Sequence, residues 1–194
     1  MSTHRYRLEP TNTFAAVIVR NDTSKLLSRL GHDHVIRARE FTSTIVIDPL
    51  HREAISFSLA FPVDALDVDE TQDRKRVDLP GEVSTKDRDA TRDNMLGRGQ
   101  LNAKAHGNIH FQVHGAQQSD QEDELILKAS LTVRGHRHDF DFPVHFQLTP
   151  HLRVKGRVDL THDDLGMKAY RAPMGTLQNQ ETLTFVVDAD VAPL

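Results

Sequence analysis

Two pairs of histidines with an i, i+2 spacing are the side chains of this chain that best suit metal chemistry. They are His32 with His34 and His136 with His138. Residues i and i+2 of a strand lie on the same face, so each pair could present two imidazoles to one ion. If the two pairs met at one end of a barrel, their four nitrogens could bind zinc, copper or nickel.

A simpler interpretation also accounts for most of the histidines. His136 stands beside a turn residue, Gly135, where polar side chains are common. His106, His110 and His114 fall on the polar side of their segment. Metal binding is therefore the alternative hypothesis for this chain, and the sequence assigns no metal or other cofactor.

No other catalytic motif stands out in the sequence. It has no G-x-S-x-G elbow, no His-Glu-x-x-His, no phosphate-binding glycine loop and no dinucleotide fingerprint. The carboxylates between Asp64 and Asp93 are interleaved with Arg and Lys, which is typical of a solvated surface. An acid–base pair would need one buried carboxyl. We therefore expect a protein that is not an enzyme.

Composition and charge exclude several classes of partner and site. The 194 residues carry a net charge of −4 with both signs interspersed, whereas nucleic acid binding favours a concentrated basic stripe. The absence of cysteine excludes disulfides, thiolate metal sites and cysteine nucleophiles. No segment approaches the roughly 20 apolar residues of a membrane span. No apolar stretch follows the charged start Met1–Arg7, which favours a cytoplasmic location.

Apolar and polar residues alternate with a period of two through most of the chain. Phe140, Phe142, Val144, Phe146 and Leu148 show the pattern most clearly. It recurs over residues 14–20, 41–47, 55–63, 109–113, 125–133, 152–160 and 183–191, and the strand that contains 41–47 is expected to run from about His34 to Ile47. Successive side chains of a strand point to opposite faces, so the pattern predicts about eight strands, each with one apolar face. Gly135 lies in the turn between the segments 125–133 and 140–148, which are therefore expected to pair as a hairpin.

One helix is expected in the charged segment 64–100, where the alternation stops. Ser84 and Asp87 resemble a capping box, Met95 falls at the buried end, and Gly97 closes the helix. The segment is interpreted as a crossover that covers one end of the sheet.

A sheet with one apolar face can hide it by curling into a barrel. The alternation alone leaves open whether the barrel interior is filled by side chains or holds a ligand. No linker or repeat divides residues 1–194, which are interpreted as a single domain. A barrel that is incompletely closed leaves a strand edge, which would allow a homodimer.

Four segments then resemble a known family in their order and spacing. They are Phe41–Asp48, Met95-Leu96 with Ile109-x-Phe111, Leu131–Gly135 and Asp164–Met167. The first resembles a Phe-x-Gly-x-Ile-x-Asp strand, the third a Leu-Thr-aliphatic-x-Gly strand and turn, and the last an Asp-aromatic-Gly-aliphatic signature. Together they resemble the YceI-like family, also called the polyisoprenoid-binding or lipid-binding lipocalin-like family.

The resemblance implies an all-β fold: an extended, antiparallel, eight-stranded lipocalin-like barrel with one short helix in a crossover segment. It also implies a long apolar pocket that binds an isoprenoid or another long-chain amphiphile, for transport, storage or stress protection. The expected ligand-binding residues are Ile18, Phe41, Ile45, Phe57, Phe61, Met95, Phe111, Leu131, Phe142, Phe146 and Met167.

Overall fold

The computed structural model describes residues 3–25, 31–121, 123–172, 174 and 176–194. The cytoplasmic location was predicted from the charged start Met1–Arg7. Its first two residues, Met1 and Ser2, lie outside the described residues. The described strands are β1 (His4–Leu8), β2 (Thr13–Asn21), β3 (His34–Ala38), β4 (Ser43–Ile47), β5 (Phe57–Pro62), β6 (Leu66–Val68), β7 (Asn108–Gln118), β8 (Glu124–Val133), β9 (His136–Gln147), β10 (Leu152–Thr161) and β11 (Asn179–Val191). The helices are α1 (Thr71–Arg76) and α2 (Thr85–Leu96).

Nine strands form one antiparallel sheet in the order β5-β7-β8-β9-β10-β11-β2-β3-β6. Its two edge strands, β5 and β6, follow each other in the chain and are joined by the short 3-10 turn Val63–Ala65. The chain itself therefore holds the two edges together, and the sheet is a nearly closed barrel. Strand β2 pairs with β11 from the other end of the chain, which supports the single-domain interpretation of residues 1–194. That interpretation stays a prediction.

The all-β barrel expected from the sequence is confirmed, but the strand count is nine instead of eight. The additional strand, β6, lies in the charged segment and pairs with β3. Its three residues are too few for an alternation to be visible in the sequence. Helix α1, also in this segment, was not expected from the sequence.

The segment from His34 to Ile47, expected to form one strand, is divided into two. Strand β3 stays in the barrel, whereas β4 pairs with β1 in a separate two-stranded ribbon. The chain leaves the barrel after Ala38, and the amide of Arg39 donates to the carbonyl oxygen of Ala65. Alternation cannot reveal such a change of partner, because both halves keep one buried face.

Helix α2 begins and ends where the sequence predicts. The hydroxyl oxygen of Ser84 accepts a hydrogen bond from the amide of Asp87 at 3.2 Å, which satisfies one free donor of the first turn. Met95 is buried and Gly97 caps the C-terminal end. Among the described residues, no helix combines the length and the apolarity that crossing a bilayer requires.

The predicted hairpin between β8 and β9 is confirmed, with Val133 opposite His136. Its two turn residues, Arg134 and Gly135, have φ values of 53° and 77°. Two successive left-handed residues form the type I′ turn, whose twist matches that of the flanking strands. The turn fixes the register, so Phe142 faces the interior together with its alternate neighbours.

The β1–β4 ribbon covers the barrel end opposite helix α2. Tyr6 and Ile47 are completely buried there, and the Tyr6 hydroxyl donates to the carbonyl oxygen of Leu148 at 3.3 Å. Burial raises the pKa of the Tyr6 hydroxyl above its ordinary value. The inner side of the ribbon, at Leu8 and Ile45, borders the barrel interior.

Candidate functional site

The described residues line two cavities in the interior of the barrel. The first, here called the mouth cavity, has a volume of about 330 Å³ and lies between α2, the ends of β2 and β11, and residues 162–172. The second, the inner cavity, has a volume of about 190 Å³ and extends towards the β1–β4 ribbon. Six side chains border both cavities, so at most one layer of side chains separates them. They are Val17, Ile36, Leu66, Ile109, Leu131 and Phe185.

The inner cavity is almost entirely apolar. Among the described residues that line it, Thr13 has the only polar side chain. Phe111 contacts three other phenylalanines of this wall, with ring centroids 6.1 Å from Phe57 and 6.5 Å from Phe140 and Phe142. Such a surface can exclude water and hold a hydrocarbon, and it offers little to orient a polar ligand.

Several inward-facing side chains remain only half-buried, although at these residues the strand is paired with a neighbouring strand on both sides. Phe111, Val154 and Phe185 are examples. In a filled core these side chains would be fully enclosed by their neighbours. Their residual exposed surface lies along the inner cavity, which they line. The alternative left open by the sequence, a barrel plugged by its own side chains, is therefore not what the structure contains.

The structure brings together nine of the eleven residues expected to bind ligand. Seven of them line the inner cavity: Ile45, Phe57, Phe61, Phe111, Leu131, Phe142 and Phe146. Met95 and Met167 line the mouth cavity, which Leu131 also borders. Whether these residues contact a ligand stays a prediction.

Two of the expected residues lie elsewhere. Phe41 is buried behind the wall, edge-to-face against Phe61 at 5.4 Å between ring centroids. Ile18 lies on the outer face of β2 and packs in a separate cluster with Phe14 and Leu79. The inward residues of β2 are its neighbours Val17 and Val19. Because the segment after α1 covers this outer face, β2 is apolar on both sides and its alternation is ambiguous.

The mouth cavity differs from the inner one because polar side chains take part in its lining. His162, directly after β10, is 3% exposed, and its Nδ1 lies 2.9 Å from the carbonyl oxygen of Glu181. The turn that presents it is closed by Asp164, whose Oδ2 accepts hydrogen bonds from the amide and hydroxyl of Thr161. These hydrogen bonds, the backbone one first, lower the pKa of the Asp164 carboxyl.

His34 on the β3 side of the mouth is held by a buried carboxylate. Its Nδ1 lies 2.6 Å from Oδ2 of Asp69, and Oδ1 of Asp69 accepts from the Val35 amide and from Arg74. Burial alone would raise the pKa of Asp69. The hydrogen bonds from His34, Val35 and Arg74 outweigh burial and lower it.

The two histidine pairs do not form one site. His32 and His34 line the mouth cavity, with ring centroids 6.5 Å apart. His136 packs against Gly166, and Nε2 of His138 lies 3.9 Å from Oδ1 of Asp164. Among the residues that the structure describes, no group of three or more His, Asp or Glu side chains is arranged to hold a metal ion. The condition that the metal hypothesis required is not met.

Apart from His32 and His34, sequence reasoning missed the polar side chains of the mouth, above all His162. A signal was present, because His162 immediately precedes the Asp164–Met167 segment that resembles a family signature. Tyr170 and Asn179 also line this cavity, and the amide of Asn179 donates to the carbonyl oxygen of Tyr170. They come from a segment without alternation, where sequence patterns give no indication of what faces inward.

The family model of the YceI-like domain matches residues 6–189. The chain resembles the crystal structure of Burkholderia cenocepacia BcnA with a TM-score of 0.65 and 11% identity, covering 93% of this chain and 96% of that one. It also resembles a polyisoprenoid binding domain from Saccharophagus degradans implicated in plant cell wall breakdown, with a TM-score of 0.59, 10% identity and coverage of 99% and 100%. A Campylobacter jejuni YCEI protein has a TM-score of 0.52 and 10% identity, over 80% of this chain and 83% of that one. No curated protein matches the chain.

Proposed function

The chain belongs to the YceI-like family, and we propose from this premise that it binds a long-chain apolar or amphipathic molecule inside its barrel. The observation that carries the proposal is the pair of adjacent cavities, one almost entirely apolar and one with polar groups at its mouth. The tail of the ligand occupies the inner cavity and its head stays in the mouth cavity. The polyisoprenoid-binding domain with the same fold supports an isoprenoid as one ligand of this class.

The binding energy comes from removing the tail from water. Each methylene that becomes buried contributes about 0.8 kcal/mol, which corresponds to about a fourfold gain in affinity. The mouth cavity alone, at about 330 Å³, reaches the lower end of the range of small-molecule sites. A ligand that extends into the inner cavity gains further contacts with Phe111 and its neighbours.

Binding without a chemical step is part of the proposal. The inner cavity offers no acid, base or nucleophile among its described lining residues beyond the hydroxyl of Thr13. A role in transport, storage or stress protection follows from reversible binding of this kind. A ligand recovered from the protein chemically unchanged after incubation would support it, and a recovered product would contradict it.

Two measurements test the binding itself. Native mass spectrometry and organic extraction of the purified protein should reveal a bound long-chain molecule at a molar ratio of about one per chain. Competition against a fluorescent lipid, with alcohols from octyl to eicosyl, should show affinity rising about fourfold per methylene and then levelling off when the cavities are full. No co-purifying molecule together with no uptake of the fluorescent lipid would overturn the proposal.

A homodimer remains a prediction, and the short edge strand β6 of the incompletely closed barrel supports it by offering unpaired backbone groups. Light scattering coupled to size-exclusion chromatography gives the mass directly. A mass of one chain at all concentrations would exclude the dimer and leave the ligand proposal intact.

A further inference from the structure

The most buried polar side chain in the described lining of the mouth cavity is His162. Its Nδ1 lies 2.9 Å from the carbonyl oxygen of Glu181. A carbonyl oxygen can only accept a hydrogen bond, so Nδ1 carries a proton. In the neutral imidazole, Nε2 is then an acceptor. Among the described residues, the structure gives Nε2 of His162 no hydrogen-bond partner.

Nε2 of His162 is not among the fully buried side-chain atoms without a partner, which in the described part of the chain are Nε of Arg37 and Nε of Arg88, so it keeps some accessible surface. A ligand that covered this surface without donating a hydrogen bond would leave the acceptor buried and unpaired, which is destabilising. The ring lines the cavity, and Nδ1 occupies the edge that faces β11. The edge of the ring that carries Nε2 is therefore available to a ligand in the cavity. A ligand group that donates a hydrogen bond would satisfy it.

His34, on the other side of the mouth, presents the same chemistry. Its Nδ1 is 2.6 Å from Asp69, which is ionised between its partners Val35 and Arg74 and can only accept. Nδ1 of His34 therefore carries a proton, and in the neutral form of the ring Nε2 is an acceptor like that of His162.

The charges around the mouth argue against a charged head group. No Lys or Arg belongs to the described lining of the mouth cavity, and its one Asp or Glu is Asp87 on α2, which is exposed. A carboxylate or phosphate would lose its hydration there without gaining a lysine or arginine partner. An ammonium group placed at His162 would be buried without a carboxylate partner.

We propose that the mouth cavity selects long-chain ligands with an uncharged hydroxyl head, and that His162 accepts the hydrogen bond of that hydroxyl through Nε2. This inference rests on the proposed function, because the tail must occupy the apolar interior. It adds the chemical class of the ligand, a long-chain alcohol or phenol, to a site otherwise defined by apolar surface.

The experiment compares four ligands built on a sixteen-carbon chain: hexadecanol, its methyl ether, palmitate and hexadecylamine. Each is titrated at neutral pH against a fluorescent lipid bound to the full chain. We expect hexadecanol to bind about tenfold more tightly than the ether, which has no donor, since that ratio matches one net hydrogen bond. Palmitate and hexadecylamine should bind at least about tenfold more weakly than hexadecanol.

The variant His162→Asn separates the acceptor from the structural role of the ring. The asparagine amide can still donate to the carbonyl of Glu181, as Nδ1 does, but it lacks an acceptor at the position of Nε2. We expect the ratio of alcohol to ether affinity to fall from about ten to about one. The matched control is His110→Asn on the exposed face of β7, which should keep the ratio of the unmodified chain. Thermal unfolding verifies that both variants are folded.

The outcomes distinguish this inference from the proposed function. Equal binding of all four ligands, or an unchanged ratio in a folded His162→Asn variant, would overturn the hydroxyl selection and leave binding of apolar chains standing. Tighter binding of palmitate or hexadecylamine would also overturn it. Failure of every ligand to bind would overturn the proposed function, and the head-group inference with it.

Discussion

At the scale of single residues, the carboxylate of Asp69 stabilises one wall of the mouth. It is 2% exposed and has a φ of 53°, a left-handed conformation in which Asn and Asp are better tolerated than most residues. It joins His34 of β3 to Arg74 of α1, and Arg74 also donates to the carbonyl oxygens of Asp33, Pro80 and Gly81. A few charges therefore connect the barrel, the short helix and the chain that leads to α2.

Replacing Asp69 by Asn should lower the free energy of unfolding at neutral pH by about 3 kcal/mol, because Arg74 would remain buried without its charged partner. Asparagine tolerates the same backbone conformation, so the loss reports the charge. Urea unfolding followed by circular dichroism measures it. The control, Asp67→Asn, removes a half-exposed ion pair with Arg39 and should cost less than about 1 kcal/mol. Equal losses in the two variants would contradict the assignment.

The same carboxylate predicts a pH dependence. Its pKa is lowered in the folded chain, so the unfolded chain binds the proton more readily. The stabilisation from Asp69 is therefore complete above the ordinary aspartate pKa of about 3.9 and is lost as the pH falls through the lower folded value. Unfolding free energies between about pH 5 and pH 2 should fall less steeply for Asp69→Asn than for the unmodified chain. Parallel curves would contradict the prediction.

A second residue, Gly166, sets the turn that presents His162. Its φ is 65°, and a Cβ there would lie 2.9 Å from Cγ of His136. Gly166→Ala should lower the free energy of unfolding by about 1–2 kcal/mol, through backbone strain and displacement of His136. The control Gly99→Ala adds a Cβ with no atom within 4 Å and should change stability by less than about 0.5 kcal/mol. Thermal unfolding of both variants checks the difference.

At the scale of elements, helix α2 forms part of the mouth and depends on local signals at its ends. Its overall composition is polar, and Met95 is the one buried residue of its described span. Tertiary packing therefore contributes little to this helix, and the cap at Ser84 matters more than it would in an amphipathic helix.

Ser84→Ala should lower the free energy of unfolding by about 1 kcal/mol, because the amide of Asp87 loses its acceptor. Ser58→Ala, on the exposed face of β5, is the matched control and should be nearly neutral. Hydrogen exchange gives a second readout. The amides of the first turn of α2 should exchange faster in Ser84→Ala, whereas those of β5 should be unchanged in the same variant. Unchanged exchange in α2 would show that packing and not the cap holds the helix.

At the scale of the whole molecule, the proposed function depends on a barrel that is wide enough to remain hollow. Nine strands surround the interior, and the ribbon of β1 and β4 covers the end that is far from the polar mouth. A ligand that enters at the mouth therefore meets polar groups first and the inner cavity last. The length of the combined cavities should limit the length of the tail.

Val158→Phe should shorten the longest tail that gains affinity, because the larger ring takes up part of the inner cavity that Val158 lines. In the alcohol series, affinity should level off at a shorter chain while octyl alcohol binds as before. Val46→Phe is the control, since Val46 is 49% exposed on β4. An unchanged length limit in a folded Val158→Phe variant would show that the tail does not reach the inner cavity.

The sequence by itself determined most of the strands, the β8–β9 hairpin, the capped helix and most of the apolar wall, because these depend on alternation, turn residues and caps within a few positions. Only the tertiary structure decided that Ile18 faces outward, that β4 leaves the barrel, that the two histidine pairs lie apart and that His162 lines the mouth. Each of these depends on which distant segment packs against a strand face or end, such as the chain after α1 that covers β2. A hollow interior is likewise a property of the closed sheet, since its volume depends on how many strands close the barrel and how its side chains meet across it.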